Sequence, residues 1–361
     1  MTGAAPFTVG VVLTSHPHAV AHLRTLDVLP EVEAIHAIWL DGTDPRSLGP
    51  DVPLRKVTRT HRTLPDLLGT KDLDAVIACV RTDRCPDVLR AAVEAGIPVL
   101  FEKPGALDAA TLWSIAAAAR RRDVTLGTFL SWRGHPAVVQ VRDATRQGAL
   151  GTLLGVEGRM VTSQVRYRDP SHWLFQRDTA GSGILSWLGC HFLDALCFMT
   201  DETVAEVTAF VGRRNPEPIE VEDTAALALR LTGGAIGTFH AGYHLVGSVP
   251  GYSGAAYDTF LGLRGTQGFA RLPLSDGATA TLASEAPGWR EGGRREWRYE
   301  FPTSPAYHGV PGEEFVRRFL QDARARVPAV APIEAIAHVL DVVEAAIRSS
   351  ETGRATRVGA A

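Results

Sequence analysis

Residues 94–104 read EAGIPVLFEKP, and this stretch indicates how the first part of the chain folds. The apolar run 97–101 predicts a buried strand, which ends before Pro104 because proline lacks the amide hydrogen that a sheet requires. A predicted helix over residues 86–95 leads directly into this strand. A helix followed at once by a fully apolar strand is typical of a parallel sheet that is covered by helices on both faces.

The same alternation extends outward from this stretch in both directions. It predicts strands over residues 7–13, 32–40, 74–80, 97–101 and 125–131, and helices over residues 18–26, 86–95 and 109–121. Apolar strands separated by helices of about ten residues predict a doubly wound, Rossmann-like α/β domain. We assign residues 1–130 to this domain.

The pattern changes after about residue 150, where strand-like runs follow one another directly. Predicted strands cover residues 154–161, 203–211, 224–231, 235–244 and 258–264, and predicted helices cover 185–199, 313–325 and 332–349. Successive strands with helices on one face predict an α+β domain with an open, mostly antiparallel sheet. We assign residues 131–361 to this substrate-binding and oligomerisation domain, with the last helix as a candidate to pack back on the first domain.

Composition limits the classes of function. A chain of 361 residues exceeds what one hydrophobic core usually supports, and 45% apolar with 21% charged residues is ordinary globular usage. A net charge of −3 excludes a broadly basic nucleic-acid surface. No apolar run reaches membrane-spanning length and no signal peptide opens the chain, so we expect a cytoplasmic protein without a membrane partner.

Lys103 is the first candidate for chemistry. It directly follows a predicted strand, and ligands of open α/β sheets bind at the carboxyl ends of the strands. Only three of the 37 basic residues are lysines, and a lysine can release a proton where an arginine cannot. A solvated turn lysine is the alternative interpretation.

Several motifs in the same order resemble the Gfo/Idh/MocA family of oxidoreductases. They are EKP at Glu102–Pro104, WRGHPA from Trp132, GALG at residues 148–151, GSG at residues 181–183, GCHFLD at residues 189–194, EDT at residues 222–224 and EAAIRSSETG at residues 344–353. The resemblance covers nearly the whole chain. It implies that Lys103 contacts substrate and nicotinamide ribose and assists proton transfer, with His191 on a catalytic helix, and it implies a homo-dimer or homo-tetramer.

The predicted dinucleotide turn departs from the family pattern. A G-x-G-x-x-G turn uses glycines to let the backbone approach the pyrophosphate, whereas residues 13–19 read LTSHPHA. With one residue inserted, Ser15 and Ala19 take the places of the second and third glycines. The N-terminus of the following helix would still offer amide groups to a phosphate. A turn that binds no dinucleotide is the alternative.

We predict NAD as the cofactor, with NADP as the alternative. Asp41 ends the second strand, where an acidic residue holds the ribose hydroxyl and repels a 2′-phosphate, although the nearby Arg46 weakens that preference. The predicted cofactor-binding residues are Leu13, Ser15, His16, Ala19, Asp41, Cys79, Val80, Glu102, Lys103 and Pro104.

The predicted catalytic helix also departs from the family, which places an acid four residues before the histidine. Here Trp187 takes that position, and Asp194 lies three residues beyond His191. Histidine suits proton transfer because its ordinary pKa is roughly 6.5. Lys103 and His191 are therefore the predicted catalytic pair. A core role for Trp187 competes with stacking on the ring of a carbohydrate or glycoside.

The remaining site predictions concern substrate and metal. Predicted substrate-binding residues are Arg133, Trp187, Arg177, Asp178, Asp194 and His308. No metal is predicted, because the spacing of His16, His18 and His22 matches no strong zinc pattern and no cysteine is near them in sequence.

The predicted function is hydride transfer between nicotinamide and a secondary alcohol or ketone of a sugar, cyclitol or glycoside. Two alternatives remain open at this stage. One is NAD-dependent glycoside cleavage by transient oxidation and elimination. The other is a non-catalytic sugar-binding relative with a degenerate cofactor site.

Overall fold

The computed structural model describes residues 5–43, 52–247, 257–274, 278–289 and 293–359. The chain forms two compact units, which are described separately. The first consists of Met1–Gly134 and Phe301–Ile336, and the second of His135–Glu300 and Ala337–Ala361. The predicted domain division between residues 130 and 131 stays a prediction, and Arg46 lies outside the described residues.

The strands and helices follow the chain in this order. The strands are β1 Phe7–Leu13, β2 Val32–Trp39, β3 Val57–Thr60, β4 Ala75–Cys79, β5 Val99–Phe101, β6 Leu126–Thr128, β7 Leu153–Ser163, β8 Val204–Gly212, β9 Thr224–Leu231, β10 Ile236–Leu245, β11 Tyr257–Gly265, β12 Gly268–Leu272, β13 Ala278–Ser284, β14 Arg294–Tyr299 and β15 Thr356–Arg357. The helices are α1 Ala19–Val28, α2 Leu64–Leu68, α3 Cys85–Ala95, α4 Ala109–Arg121, α5 Pro136–Arg146, α6 Arg177–Ala180, α7 Cys190–Thr200, α8 Gly309–Ala325 and α9 Ile333–Thr352, with a π-helical segment at Leu185–Gly189.

The first unit contains a six-stranded parallel sheet in the order β3-β2-β1-β4-β5-β6. Strands β1, β4 and β5 are almost wholly buried, as their continuous apolar sequences predict for a sheet covered on both faces. Helix α4 begins where the Asp108 side chain accepts the Thr111 amide, and it has the predicted bounds. The predicted doubly wound α/β fold is confirmed.

The second unit contains a nine-stranded sheet in the order β14-β13-β12-β11-β7-β10-β9-β8-β15. Only the β7–β10 pair is parallel among its described pairs, so the prediction of a mostly antiparallel sheet is confirmed. Buried and exposed residues alternate along β9, as expected when one face packs on a core. The opposite face exposes Phe210 at 82% and Ile236 at 61% of their surface.

One helical stretch, residues 177–200, is long and apolar enough to cross a membrane by length and composition. Its most apolar window is 94% buried inside the protein, which is what a core helix of a folded domain also shows.

His135 begins helix α5, where its Nδ1 accepts the Ala137 amide at 3.2 Å. Burial lowers the pKa of His135 to about 4. In the unfolded chain the pKa of this histidine is roughly 6.5, so the unfolded state binds the proton more tightly than the folded state. The free energy of unfolding therefore falls as the pH drops from 6.5 to 4. The difference between these two pKa values corresponds to about 3 kcal/mol.

We expect His135→Asn to reduce the change in the free energy of unfolding between pH 6.5 and pH 4. Asparagine also supplies an N-cap oxygen but does not titrate. Urea unfolding at pH 6.5 and at pH 4 measures the difference. An unchanged pH dependence in the variant would assign the acid sensitivity to other groups.

Candidate active site

The strand order of the parallel sheet reverses between β1 and β4. In open α/β sheets the crevice outside the carboxyl ends of the strands at such a point binds ligands. Every predicted cofactor residue lies at or just after one of these ends. Leu13 ends β1, and Ser15, His16 and Ala19 follow it; Asp41 follows β2; Cys79 ends β4, and Val80 follows it; Glu102, Lys103 and Pro104 follow β5.

Asp41 is tied to the turn after β1. Its Oδ2 accepts the Ser15 amide at 2.5 Å, and its Oδ1 accepts the Thr43 amide and hydroxyl. Partial burial alone would raise the pKa of Asp41, but the hydrogen bonds from Thr43 and Ser15 outweigh it and lower that pKa. An ionised, exposed carboxylate therefore lies beside this turn at neutral pH.

Histidine side chains fill the interior of the turn. His16 is 4% exposed, and its Nδ1 accepts the His18 amide at 3.1 Å and lies 3.2 Å from Cys79 Sγ. Burial, together with the charge of His18, lowers the pKa of His16 well below its usual value. His16 is therefore neutral at physiological pH.

Glu102 is the centre of a buried group that we call the His–Glu cluster, consisting of His16, His18, His22, Cys79 and Glu102. The Glu102 Oε1 lies 3.0 Å from His18 Nδ1 and 2.8 Å from His22 Nε2. Burial pushes the pKa of Glu102 upward, but the electrostatic and hydrogen-bonding contacts with the two imidazoles outweigh it and hold the pKa well below its usual range. A buried carboxylate thus stays ionised next to Lys103.

Tyr307 extends the cluster toward the surface. Its hydroxyl lies 2.8 Å from His18 Nδ1, and its ring stacks on Phe129 with centroids 4.9 Å apart. Its amide donates to the Thr25 hydroxyl at 2.9 Å. Tyr307 is not among the predicted site residues, because nothing in its local sequence indicates that it meets a helix almost 300 residues earlier.

Lys103 is only 2% exposed, so it is not a solvated turn lysine. It directly follows Glu102, the central residue of the His–Glu cluster. Gly105 follows it with φ +82°, and a Cβ there would lie 2.3 Å from the Phe101 ring. Only glycine fits this close turn.

The two other predicted residues of the first unit lie elsewhere. Arg133 is half-buried, and its Nη1 donates to the Val330 carbonyl at 3.2 Å. His308 is exposed at the start of α8, and its ring faces the edges of Tyr307 and Trp132. The substrate roles of both stay predictions.

In the second unit, Glu222 organises the start of the predicted catalytic helix. Its carboxylate accepts the Ser182 hydroxyl at 2.8 Å, the Gly183 amide at 2.7 Å and the Leu185 amide at 3.1 Å. Burial raises the pKa of Glu222, and these hydrogen bonds oppose the rise. The EDT motif at residues 222–224 did not predict this capping role. The capping acid lies about 40 residues after the glycine-rich turn, so no local sequence pattern indicates that the two meet.

Trp187, His191 and Asp194 are all buried in this unit, at 3%, 5% and 1% exposure. Trp187 lies in the π-helical segment, and its ring meets Trp173 edge to face at 6.0 Å. A π turn holds more residues than an α turn, so a four-residue spacing across this segment does not place two side chains on one face as in an α-helix. The predicted roles in catalysis and substrate binding stay predictions.

Arg177 and Asp178 are exposed in α6. The Arg177 amide donates to Glu220 Oε2 at 2.9 Å, and its guanidinium donates to the Glu220 carbonyl at 2.8 Å. Arg177 therefore has a structural partner within its own unit, and its substrate role stays a prediction.

A parallel sheet with this strand order is the fold of Rossmann-type dinucleotide-binding domains. Two family models match the chain, "Oxidoreductase family, NAD-binding Rossmann fold" over residues 49–129 and "GFO/IDH/MocA C-terminal domain" over residues 138–271. The protein belongs to the Gfo/Idh/MocA family. The predicted family, oxidoreductase class and NAD-binding fold are confirmed.

Named relatives are similar over part or most of their length. A 1,5-anhydro-D-fructose reductase of Ensifer adhaerens is 29% identical over 51% of this chain and 55% of its own, so the chain spans about half the length of that relative. A trans-1,2-dihydrobenzene-1,2-diol dehydrogenase of Bos taurus is 27% identical over 77% of this chain and 79% of its own. A solved levoglucosan dehydrogenase, in complex with NADH and levoglucosan, superposes with a TM-score of 0.84 at 17% identity over 98% of this chain and 100% of its own. At that identity the structural likeness shows the fold alone.

Proposed function

We propose that the protein transfers hydride between NAD and a secondary alcohol or ketone of a sugar or cyclitol. The observation that carries this proposal is the buried Lys103 directly after β5, in the same sheet edge as the ionised Asp41 after β2. The names of the relatives, which include a sugar reductase and a levoglucosan dehydrogenase, support this substrate class.

The first unit fits a dinucleotide at this edge. Asp41 is exposed and ionised, as a ribose-binding acid requires. Ser15 and Pro17 are exposed on the turn after β1, and the His18 side chain does not cap α1. The Ala19 amide donates to the His16 carbonyl at 3.0 Å, so the next two amides of this ten-residue helix are the groups proposed to hold a phosphate. The histidines of the turn are buried in the His–Glu cluster, whereas Ser15, which takes the place of the second glycine, stays exposed.

Each residue then has a role in the proposed reaction. The nicotinamide would supply the hydride acceptor or donor. Asp41 orients the adenosine ribose, and Lys103 holds or moves the proton of the substrate hydroxyl. His191 stays the second predicted proton-transfer residue.

Replacing Asp41 tests the cofactor assignment. We expect the native protein to bind NADH with micromolar affinity and NADPH more weakly, because the carboxylate repels a 2′-phosphate. Asp41→Asn should weaken NADH binding about tenfold, since a hydrogen bond to a charged group is worth about 1.5–3 kcal/mol. It should also reduce the preference for NADH over NADPH, because the variant lacks the charge that repels the 2′-phosphate. The measurement is quenching of the seven tryptophans during titration of protein freed of carried-over cofactor.

Asp27→Asn is the matched control, because Asp27 belongs to the same unit but pairs with Arg55 on the surface. The control should bind both nucleotides like the native protein. Tighter binding of NADPH than of NADH by the native protein, or binding of neither, would contradict the assignment. Turnover of a glycoside without net change in NADH would instead favour cleavage by transient oxidation.

We further propose a homo-oligomer that buries the exposed face of the second sheet. This face carries Phe210 and Ile236, two exposed apolar side chains that contact with a second copy would bury. A cytoplasmic location stays part of the proposal.

A further inference from the structure

The His–Glu cluster gathers five side chains of the types that bind transition metals. His16, His18 and His22 come from the turn after β1 and from α1, Cys79 from the end of β4, and Glu102 from the segment after β5. All five are less than 5% exposed. Two overlapping sets, His16–His18–Glu102 and His22–Cys79–Glu102, each have donor atoms within 4.8 Å of one another.

We propose that this cluster binds one divalent transition-metal ion of the zinc type, with Glu102, His16 and His18 as ligands. Imidazole, carboxylate and thiol are the groups that zinc prefers. Bonds of about 2.0–2.1 Å to a tetrahedral ion place two N or O ligand atoms about 3.3 Å apart. His18 Nδ1 and Glu102 Oε1 are 3.0 Å apart, so a small outward movement admits the ion.

The prediction of no metal depended in part on the absence of a cysteine near the histidines in sequence, and the fold places one beside them. The sequence places no cysteine near the histidines, whereas β1 and β4 are adjacent in the sheet and bring Cys79 Sγ to 3.2 Å from His16 Nδ1. Cys79 and His22 thus lie next to the proposed ligands and complete the second set. Cys79 Sγ, which lies 3.2 Å from His16 Nδ1, is therefore the candidate for a fourth ligand.

The second carboxylate oxygen of Glu102 points independently to a ligand. Glu102 Oε2 is buried and has no hydrogen-bond partner among the described residues, while Oε1 lies within hydrogen-bond distance of two imidazoles. A buried carboxylate oxygen without a partner is costly, and coordination to a cation would satisfy it. The glycine residues typical of this turn could not supply such ligands.

Metal content tests the proposal directly. The full chain, produced without a histidine tag, is dialysed against a chelator, incubated with Zn²⁺ and desalted, and its zinc is measured by mass spectrometry. We expect about one zinc per chain and a rise of the thermal unfolding midpoint by several degrees, because an ion that binds only the folded state stabilises it. His18→Gln and Glu102→Gln should each weaken binding at least tenfold.

Matched controls separate ligation from general damage. His36→Gln removes another buried histidine, and Cys85→Ser another buried cysteine, of the same unit outside both sets. Both should bind zinc like the native protein. Co²⁺ loading adds a spectroscopic test, in which visible bands of tetrahedral intensity support the site. A thiolate charge-transfer band that disappears in Cys79→Ser would show Cys79 as an additional ligand.

Two results would overturn the proposal. One is less than a tenth of a zinc ion per chain in the native protein after loading. The other is equal zinc binding by the native protein and by the folded His18→Gln and Glu102→Gln variants. Neither result bears on NADH binding, so the proposed metal site and the proposed dehydrogenase function fail separately.

Discussion

Lys103→Met is expected to lower kcat by about 10² to 10⁴, the range that a positioned proton-transfer group contributes. Methionine nearly matches the length of lysine but carries no proton, and an apolar side chain suits a site that is only 2% exposed. NADH affinity should change by no more than a few-fold, because the proposed contacts of the adenosine half are made by Asp41 and the turn after β1. Steady-state oxidation of a sugar or cyclitol substrate by NAD⁺ measures kcat.

Lys71→Met is the control for this prediction. Lys71 is exposed in the same unit, and its loss should leave kcat within twofold of the native value. Lys103→Arg keeps the charge but cannot release the proton, so it should be as slow as Lys103→Met if proton transfer is the role of the lysine. A Lys103→Met enzyme with kcat within tenfold of native would contradict the proposed role.

Gly183→Ala is expected to destabilise the protein by about 3 kcal/mol, a large effect for one methyl group. A Cβ at residue 183 would lie 1.9 Å from the Glu222 carbonyl oxygen, so the backbone must move. That movement also breaks the bond from the Gly183 amide to Glu222 Oε2 and weakens the bonds from Ser182 and Leu185 to the same carboxylate. Urea unfolding followed by circular dichroism measures the loss.

Gly212→Ala is the matched control in the same unit. A Cβ at residue 212 meets nothing within 4 Å, and the expected change is within about 0.5 kcal/mol. Equal stability of the two variants would mean that Glu222 does not fix the backbone at Gly183. Because the same segment leads into the helix that carries His191, Gly183→Ala should also lower activity more than Gly212→Ala does.

Sequence patterns predicted much of the fold. The strands predicted over residues 224–231 and 235–244 match β9 and β10 within one residue, and α4 has its predicted bounds. Strands β3, β12, β13, β14 and β15 and helices α2, α5 and α6 were not predicted. The strands are short or carry many polar residues, so they show little apolar periodicity. Their places in the sheet depend on pairing with neighbours rather than on their own composition.

The candidate site was predicted in its parts and not in its connections. The EKP stretch located Lys103, and the strand end located Asp41. The three histidines were visible, but their orientation toward Glu102 was not. The contact between Tyr307 and His18 joins residues separated by 289 positions, and no local pattern encodes it.

The sequence by itself determined the longer apolar strands and helices, the α/β class and the family, because hydrophobic period, turn residues and motif order are local properties of the chain. Only the tertiary structure decided which side chains share the interior at the carboxyl edge of the sheet. Cys79 meets His16 because β4 pairs directly with β1, and Glu102 meets His18 and His22 because α1 begins at that edge. Those contacts follow from strand order, which is a property of the whole fold and not of any one segment.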